Sequence, residues 1–206
     1  MAEHRLFTGP VPYVSTAAFH EHRERAPHLE QDIHRPRLEK AACFVKVAAN
    51  ELRETGQKHI TVSDLGCGDG GLLSLLATKD IGVEAWGYDF QPSNQAGWVE
   101  RGVRASKADV FGRDRNIVLH GDIVVCTEVL EHVADPHGAL RFIATSPMVR
   151  YLVASSPWTE TPESHDACHA WCWDQDGYRV LIEQAGFRVR RHVEVGMFQV
   201  VLAVKP

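Results

Sequence analysis

The sequence feature that most constrains the fold is a glycine-rich turn between a predicted strand and a predicted helix. Residues Ile60 to Val62 are β-branched, the turn carries Gly66, Gly68 and Gly71, and Leu72 to Ala77 is helix-forming sequence. A turn of this kind lets a ligand approach bare backbone, with amide groups directed at it. The glycine spacing matches the dinucleotide-binding pattern, although that match is weak by itself.

An acid at the end of the same strand narrows the choice of ligand. Asp64 lies two residues before the first glycine, where a carboxylate would repel a pyrophosphate. A buried carboxylate needs a partner, and a cationic ligand supplies one. The alternative is that Asp64 only caps the helix beside a tight turn.

Three further motifs follow in order. Asp89 ends a short strand about 20 residues after the glycines, where adenosine cofactor sites hold the ribose hydroxyls, and Phe90 follows it. The alternative for Asp89 is an Asx-type turn before Pro92. The third motif is 108–110. The fourth is the apolar run 122–126, which reads as a buried strand and precedes a polar segment at 127–133.

Together these motifs resemble the class I S-adenosylmethionine-dependent methyltransferases, whose first motif is similar to residues 64–70. The cofactor's ammonium and sulfonium groups explain an acid at the first motif. The resemblance implies roles for Asp109 at the adenine amine and for the backbone of Val110. It also implies that the residues after the fourth strand border the methyl-transfer site. The expected cofactor-binding residues are Asp64, Gly66, Cys67, Gly68, Asp89, Phe90, Asp109, Val110, Thr127 and Glu128.

The rest of the chain predicts an α/β fold. Strands at 59–65, 83–89, 103–107, 122–126 and 149–155 alternate with helices at 37–55, 70–78, 94–101, 136–145 and 174–185. Two strands around Gly196 form a C-terminal hairpin. The resemblance implies a Rossmann-like, doubly wound, mostly parallel seven-stranded sheet closed by that antiparallel hairpin. We expect one domain over 1–206, with 1–36 as an N-terminal lid or irregular segment and 37–206 as the core. The short gap between Asp109 and Asp122 predicts a missing or reduced crossover helix.

Composition argues against several kinds of partner and location. The chain has 206 residues and a net charge of −5, so nucleic acid is an unlikely partner. It has no apolar run long enough for a membrane span, and no secretory signal. Five scattered cysteines indicate a reducing compartment, so we expect a cytoplasmic protein. No oligomeric state is predicted.

The loop after the fifth strand is the expected acceptor site, because ligands bind beyond the carboxyl ends of parallel strands. Its candidate substrate residues are Trp158, His165, Trp171 and Trp173, with core packing or a dimer contact as the alternative role for these rings. His132 and His169 are the candidate catalytic bases, and His165 is a further option. The predicted reaction is methyl transfer to an O, N or C atom of a small-molecule acceptor.

Two metal sites and four other functions are alternatives to methyl transfer to a small molecule. Glu128, Glu131, His132 and His169 resemble the magnesium site of RNA 3′-end 2′-O-methyltransferases, which makes such an enzyme the first alternative. A zinc site at His165, Cys168, His169 and Cys172 is not favoured, because these four ligands, if the segment were helical, would share one face of a helix and could not surround an ion. The chain also lacks the Asn/Asp-Pro-Pro-aromatic tetrapeptide of the amino-methylating enzymes. A cofactor-binding regulator is the non-enzyme alternative, and a nicotinamide-dependent oxidoreductase would require an apolar residue at Asp64.

Overall fold

The computed structural model describes residues 4–6 (backbone only), 22–112, 114, 119–161 and 163–206. Its strands are β1 (His4–Leu6), β2 (Thr61–Leu65), β3 (Glu84–Asp89), β4 (Ala105–Lys107), β5 (Ile123–Thr127), β6 (Tyr151–Pro157), β7 (Trp171–Trp173), β8 (Arg188–Val195) and β9 (Phe198–Val204). Its α-helices are α1 (Arg35–Glu54), α2 (Gly71–Thr78), α3 (Gln95–Arg101), α4 (Pro136–Thr145) and α5 (Gln175–Gln184). Short 3₁₀ turns cover His28–Glu30, Pro92–Asn94 and Leu130–His132.

A seven-stranded sheet in the order β4-β3-β2-β5-β6-β9-β8 organises the molecule. The first five of these strands are parallel, and β9 runs antiparallel to both β6 and β8. The predicted fold class is therefore confirmed. In the centre of the sheet, Asp64 is paired with Gly87 on one side and Val125 on the other. The carboxyl ends of β2, β3 and β5 consequently meet at one edge.

Two apolar clusters cover the two faces of the sheet. One joins α1 and α2 to the side of the sheet that carries Ile123 and Val125. The other joins α4 and α5 to the side that carries Val124 and Cys126. Because successive strand residues point to opposite faces, a strand buried on both sides must be apolar throughout. This is the reason for the uninterrupted apolar run that the sequence shows at β5.

Local signals set the helix boundaries. The Asp135 side chain accepts a hydrogen bond of 2.7 Å from Gly138 N, and Pro136 occupies the first turn of α4. The Asp174 side chain accepts one of 2.6 Å from Gly177 N at the start of α5. Both are N-caps, which satisfy amide groups that the helix itself leaves without a partner. The hydrogen bond between Asp135 and Gly138 N therefore explains why the predicted helix starts at residue 136.

The structure departs from the predicted elements at two places. Residues 1–36 were expected to form a lid or irregular segment, yet β1 forms a two-stranded antiparallel sheet with β7, with Leu6 paired to Trp171 and His4 to Trp173. The segment 156–173 was expected to be a loop, yet it contains β7. Residues 1–3 and 7–21 lie outside the described residues. Where a crossover helix was expected to be missing or reduced, residues 110–112 form a turn.

No helix among the described residues is both long enough and apolar enough to cross a membrane.

Candidate active site

A cleft of about 810 Å³ opens at the edge where the carboxyl ends of β2, β3 and β5 meet. Residues 23–38 line one wall, and the segment after β6 and the β8–β9 turn line another. All ten residues expected to bind the cofactor line this cleft: Asp64, Gly66, Cys67, Gly68, Asp89, Phe90, Asp109, Val110, Thr127 and Glu128. Motifs separated by up to 64 positions are thus brought to one site by the parallel sheet.

The glycines of the turn differ in what surrounds them. Gly66 has φ +74°, and a Cβ atom there would lie 2.3 Å from a methyl carbon of Val129. Gly68 has φ +54°, and no atom lies within 4 Å of its Cβ position. Left-handed backbone favours glycine at both positions. Gly66 is therefore required by packing, whereas Gly68 leaves space on the ligand side.

Asp89 is fixed in place by three hydrogen bonds. Its Oδ2 accepts one from Gly68 N (2.9 Å), and its Oδ1 accepts from Gln91 N (2.8 Å) and Asn94 Nδ2 (3.1 Å). Burial raises the pKa of Asp89, and these three donors oppose that shift. The carboxylate is therefore held rigidly between the glycine turn and the segment after β3.

Asp64 is the most deeply buried acid of the turn. It is 1% exposed, and its Oδ1 has no hydrogen-bond partner among the described residues. Burial, together with the charge of Asp89, raises its pKa to about 7, and Arg37 partly opposes the shift. A carboxylate in this condition is stabilised by a cation placed in the cleft.

Glu128 and Arg37 form the next part of the wall. Glu128 has φ +56°, a left-handed conformation that is costly for a residue with a side chain. Its Oε1 accepts a hydrogen bond of 2.7 Å from Ser155 Oγ and lies 4.0 Å from Arg37 Nε. Burial raises the pKa of Glu128, with Arg37 acting against it. Arg37 was not identified from the sequence. Its position next to the apolar face of α1 could have indicated a buried charge.

The 3₁₀ turn Leu130–His132 is tied to the segment before β7. The Glu131 carbonyl accepts from Ala170 N (2.7 Å), and His132 Nδ1 lies 3.1 Å from the Cys168 carbonyl oxygen. Glu131 is fully buried, and neither of its carboxyl oxygens has a hydrogen-bond partner among the described residues. Burial and the neighbouring Glu128 raise the pKa of Glu131 well above its usual value.

His169 and Glu160 form a nearly buried pair at the same end of the cleft. His169 Nδ1 lies 2.7 Å from Glu160 Oε2, with the side chains 11% and 9% exposed. The His132 and His169 rings meet edge to face, with centroids 4.6 Å apart. Both predicted bases, His132 and His169, therefore line the cleft. Glu160 was not identified from the sequence, because no motif there points to it.

The two metal-ligand sets considered as alternatives are rearranged in the structure. Among the described residues, the cluster with metal-ligand spacing is His132, Cys168 and His169, whose ligand atoms lie within 4.8 Å of one another. The expected carboxylates Glu128 and Glu131 are close by but are not members of that cluster. The helix on which four zinc ligands would have shared one face is not formed.

The structure corrects the predicted substrate site. None of its four candidate residues, Trp158, His165, Trp171 and Trp173, is among those that line the cleft. Trp173 is 1% exposed and packs against Tyr178, while Trp171 stacks on Trp173 and donates to the Val133 carbonyl oxygen (3.0 Å). Trp158 donates to Gly196 O, and His165 is exposed. The physical reason is β7, whose alternation sends Trp173 into the core instead of towards the ligand.

Comparison with known proteins identifies the family. A family model described as a methyltransferase domain matches residues 37–192, so the chain belongs to that family. It is a class I S-adenosylmethionine-dependent methyltransferase, and S-adenosylmethionine is its cofactor. No curated protein sequence gives a significant match.

Solved structures share the fold at low sequence identity. The magnesium protoporphyrin IX methyltransferase of Synechocystis PCC 6803 with bound S-adenosylmethionine is 18% identical, covering 91% of this chain and 88% of that chain, with a TM-score of 0.60. The mitomycin 7-O-methyltransferase MmcR is 21% identical over 82% of this chain and 54% of its own, with a TM-score of 0.60. The methyltransferase domain of bacterial CtHen1-C is 17% identical over 81% and 98%, with a TM-score of 0.58.

Proposed function

We propose that the protein transfers the methyl group of S-adenosylmethionine to a hydroxyl oxygen of a small-molecule acceptor. His169, oriented by Glu160, takes the proton of that hydroxyl. The observation that carries the proposal is the 2.7 Å contact between His169 Nδ1 and Glu160 Oε2 beside the cleft. A carboxylate that accepts from Nδ1 fixes the tautomer and presents Nε2 as the basic atom.

The proposed chemistry is a single displacement. The acceptor oxygen forms a bond to the methyl carbon while the carbon–sulfur bond breaks. The electron pair of that bond stays on sulfur, so the sulfonium becomes a neutral thioether. The proton of the hydroxyl goes to His169. Because the sulfonium is already a good leaving group, the protein's main contribution is to orient the oxygen in line with the methyl group.

The proposed cofactor contacts follow from the positions of the lining residues. Asp64 and Glu128 face the cationic methionine end, where a positive ligand relieves two buried carboxylates. Asp89 receives the ribose hydroxyls, and Asp109 and Val110 receive the adenine, beside Phe90. The net charge of −5 supports a small acceptor over a nucleic acid.

Substitution of the pair tests the proposal. We expect His169→Gln to lower kcat by about 10²- to 10⁴-fold, the usual contribution of a general base. Glu160→Gln should lower kcat less, and both variants should bind S-adenosylmethionine normally. The matched control is His59→Gln, because His59 and Glu84 form an exposed pair (3.1 Å) that does not line the cleft. Unchanged kcat in His169→Gln, measured on an accepted hydroxyl substrate, would exclude the assigned base.

A metal-dependent 2′-O-methyltransferase acting on an RNA 3′ end is the second candidate. The cluster of His132, Cys168 and His169 favours it, together with Glu131, whose buried oxygens have no described partner. The similarity to the CtHen1-C methyltransferase domain is compatible with it. This candidate requires turnover to disappear with EDTA and to return with magnesium or manganese. We expect turnover to be independent of EDTA, with a small molecule as acceptor.

The non-enzyme alternative is a cofactor-binding regulator. It would be favoured if the protein bound S-adenosylmethionine but transferred no methyl group to any member of a broad acceptor panel.

A further inference from the structure

The Gly68 carbonyl, in the middle of the glycine turn, accepts a hydrogen bond from a side chain that belongs to none of the sequence motifs. The donor is the indole nitrogen of Trp98, on α3, at a distance of 2.7 Å. On the other side of the same residue, Gly68 N donates to Asp89 Oδ2 at 2.9 Å. Two successive peptide groups of the turn are therefore held by side chains from two different elements.

Gly68 has no side chain of its own that could pack against a neighbour. Its φ of +54° lies in the left-handed region, which glycine enters and leaves without steric cost. Because the peptide is planar and trans, a hydrogen bond that fixes the Gly68 carbonyl also directs the N–H of Asp69 to the opposite side. Gly68 and Asp69 both line the cleft, so the bond from Trp98 sets how their backbone groups are presented to a ligand.

Trp98 approaches the turn from behind. It is not among the residues that line the cleft, and it is 7% exposed. Its ring packs in a small apolar cluster with Cys67 and Leu73, and its Cδ1 atom lies 3.4 Å from the Cβ position of Gly70. The ring therefore lies against the turn on both sides of Gly68. A buried indole N–H needs an acceptor, and the turn supplies it.

The same helix holds the next residue of the turn. Arg101, one helical turn after Trp98, donates from Nη2 to Asp69 Oδ2 at 2.7 Å. The backbone at Gly68 and the side chain of Asp69 are thus both attached to α3. The helix fixes the back of the turn while the front faces the cleft.

We propose that Trp98 is a positioning residue for S-adenosylmethionine, whose N–H holds the Gly68–Asp69 peptide in the orientation that the bound cofactor requires. The turn is then ordered before the cofactor arrives, so that the cost of ordering does not reduce the affinity. Without the N–H, only a fraction of the molecules would hold that orientation, and the apparent Kd would rise by the inverse of the fraction. The inference concerns cofactor binding alone and is independent of the acceptor and of the assigned base.

Removal of the indole N–H tests the proposal. Trp98→Phe keeps an aromatic ring in the apolar cluster but removes the donor. We expect the Kd of S-adenosylmethionine to rise about 2- to 12-fold, the range that corresponds to one net hydrogen bond. The Kd of S-adenosylhomocysteine should rise by the same factor, because the two ligands differ only in the methyl group. Calorimetric titration of the full chain measures both values.

Trp173→Phe is the matched control. Trp173 is buried, does not line the cleft, and its Nε1 has no hydrogen-bond partner among the described residues. The change removes the same atoms from a core tryptophan and should lower the Tm while leaving both Kd values unchanged. If Trp98 were only a core residue, Trp98→Phe would behave in the same way, and wild-type Kd values in that variant would overturn the proposal. An equal rise in Kd in both variants would also overturn it, since the loss would then follow from general destabilisation.

Two tryptophan analogues at position 98 cover the case in which Trp98→Phe does not fold. In β-(3-benzothienyl)alanine a sulfur atom replaces the indole N–H and the fused rings keep their shape, so this analogue should reproduce the rise in Kd. The analogue 5-fluorotryptophan retains the N–H and should bind both ligands as the wild type does. Wild-type Kd values with the sulfur analogue, or an equal loss of affinity with both analogues, would overturn the role of the N–H.

Discussion

At the level of single residues, Asp64 is held where a carboxylate is costly unless a cation faces it. Its pKa of about 7 is far above the ordinary value, because burial and Asp89 both disfavour the charged form. Between the ordinary pKa and pH 7, the folded protein therefore binds a proton that the unfolded chain has released. The contribution of Asp64 to stability is present at low pH and is lost as pH rises through about 7.

The same residue predicts a pH dependence of cofactor binding. A cationic cofactor selects the charged form, so S-adenosylmethionine affinity should be roughly tenfold higher at pH 8 than at pH 6, from the titration of one group with this pKa. Asp64→Asn should bind more weakly and should remove this part of the pH dependence. Without ligand, Asp64→Asn should also be at least as stable as the wild type at pH 8, because the buried charge is gone. Calorimetric titration at the two pH values, with thermal melts beside it, gives both answers; an unchanged pH dependence in Asp64→Asn would contradict the assignment.

At the level of elements, the strand, glycine turn and helix at 61–78 act as one unit with two kinds of glycine. The Cβ position of Gly66 points at Val129, in the segment after β5. The Cβ position of Gly68 points into open space at the cleft. The turn therefore has one side packed against the neighbouring loop and one side left for the ligand.

Valine substitutions should separate these two sides. Gly68→Val should abolish S-adenosylmethionine binding, with only a small loss of stability from left-handed backbone, about 1–2 kcal/mol. Gly66→Val should in addition lower the Tm strongly, because its side chain must displace Val129. Thermal melts and titration on both variants test this. Normal cofactor affinity in Gly68→Val would mean that the cofactor does not approach this face of the turn.

The β1–β7 pair is the second element with a testable consequence. Trp173 is buried against Tyr178, so Trp173→Ala should cost about 3–5 kcal/mol of unfolding free energy, as for other large-to-small core changes. Trp158→Ala, at a half-buried ring, should cost much less. Chemical denaturation of the two variants measures the difference. If Trp173→Ala were as stable as wild type and lost only turnover, Trp173 would belong to the acceptor site after all.

At the level of the whole molecule, the cleft lies between the sheet edge and the segment before α1. That segment is anchored by Arg25, whose Nε donates to Asp69 Oδ2 (3.1 Å), and by the Glu24 carbonyl, which accepts from Gln91 Nε2 (3.1 Å). Both partners, Asp69 and Gln91, also line the cleft. We therefore expect occupation of the cleft to be coupled to the order of the segment.

Ligand binding should slow hydrogen exchange in this segment. With S-adenosylhomocysteine at 100 times its Kd, the folded state gains about 2.7 kcal/mol from mass action. We expect extra protection in peptides covering 22–34, because their side chains contact the occupied cleft. Peptides covering α5, which does not line the cleft, should gain only the protection that the higher global stability provides. Gly68→Val serves as the control that does not bind, and equal protection of 22–34 and α5 in the wild type would contradict the coupling.

The sequence alone determined the features that depend on neighbours along the chain. The glycine turn, the buried acid Asp64, the apolar run at β5 and the hairpin around Gly196 each have a short-range physical cause. These causes are left-handed backbone, strand periodicity and turn chemistry, and all act within a few residues. The order of the motifs then implied the parallel sheet, because parallel strands place their carboxyl ends at one edge.

Only the tertiary structure decided which distant side chains meet. Arg37 reaches Glu128 from the first turn of α1, and Glu160 reaches His169 across a loop, with no pattern in the chain to announce either contact. Trp173 was expected at the acceptor site, but it packs into an apolar core cluster against Tyr178. The physical reason is that burial and long-range pairing are properties of the packed chain. A residue's type limits its chemistry, whereas its partner is chosen by the elements that fold against it.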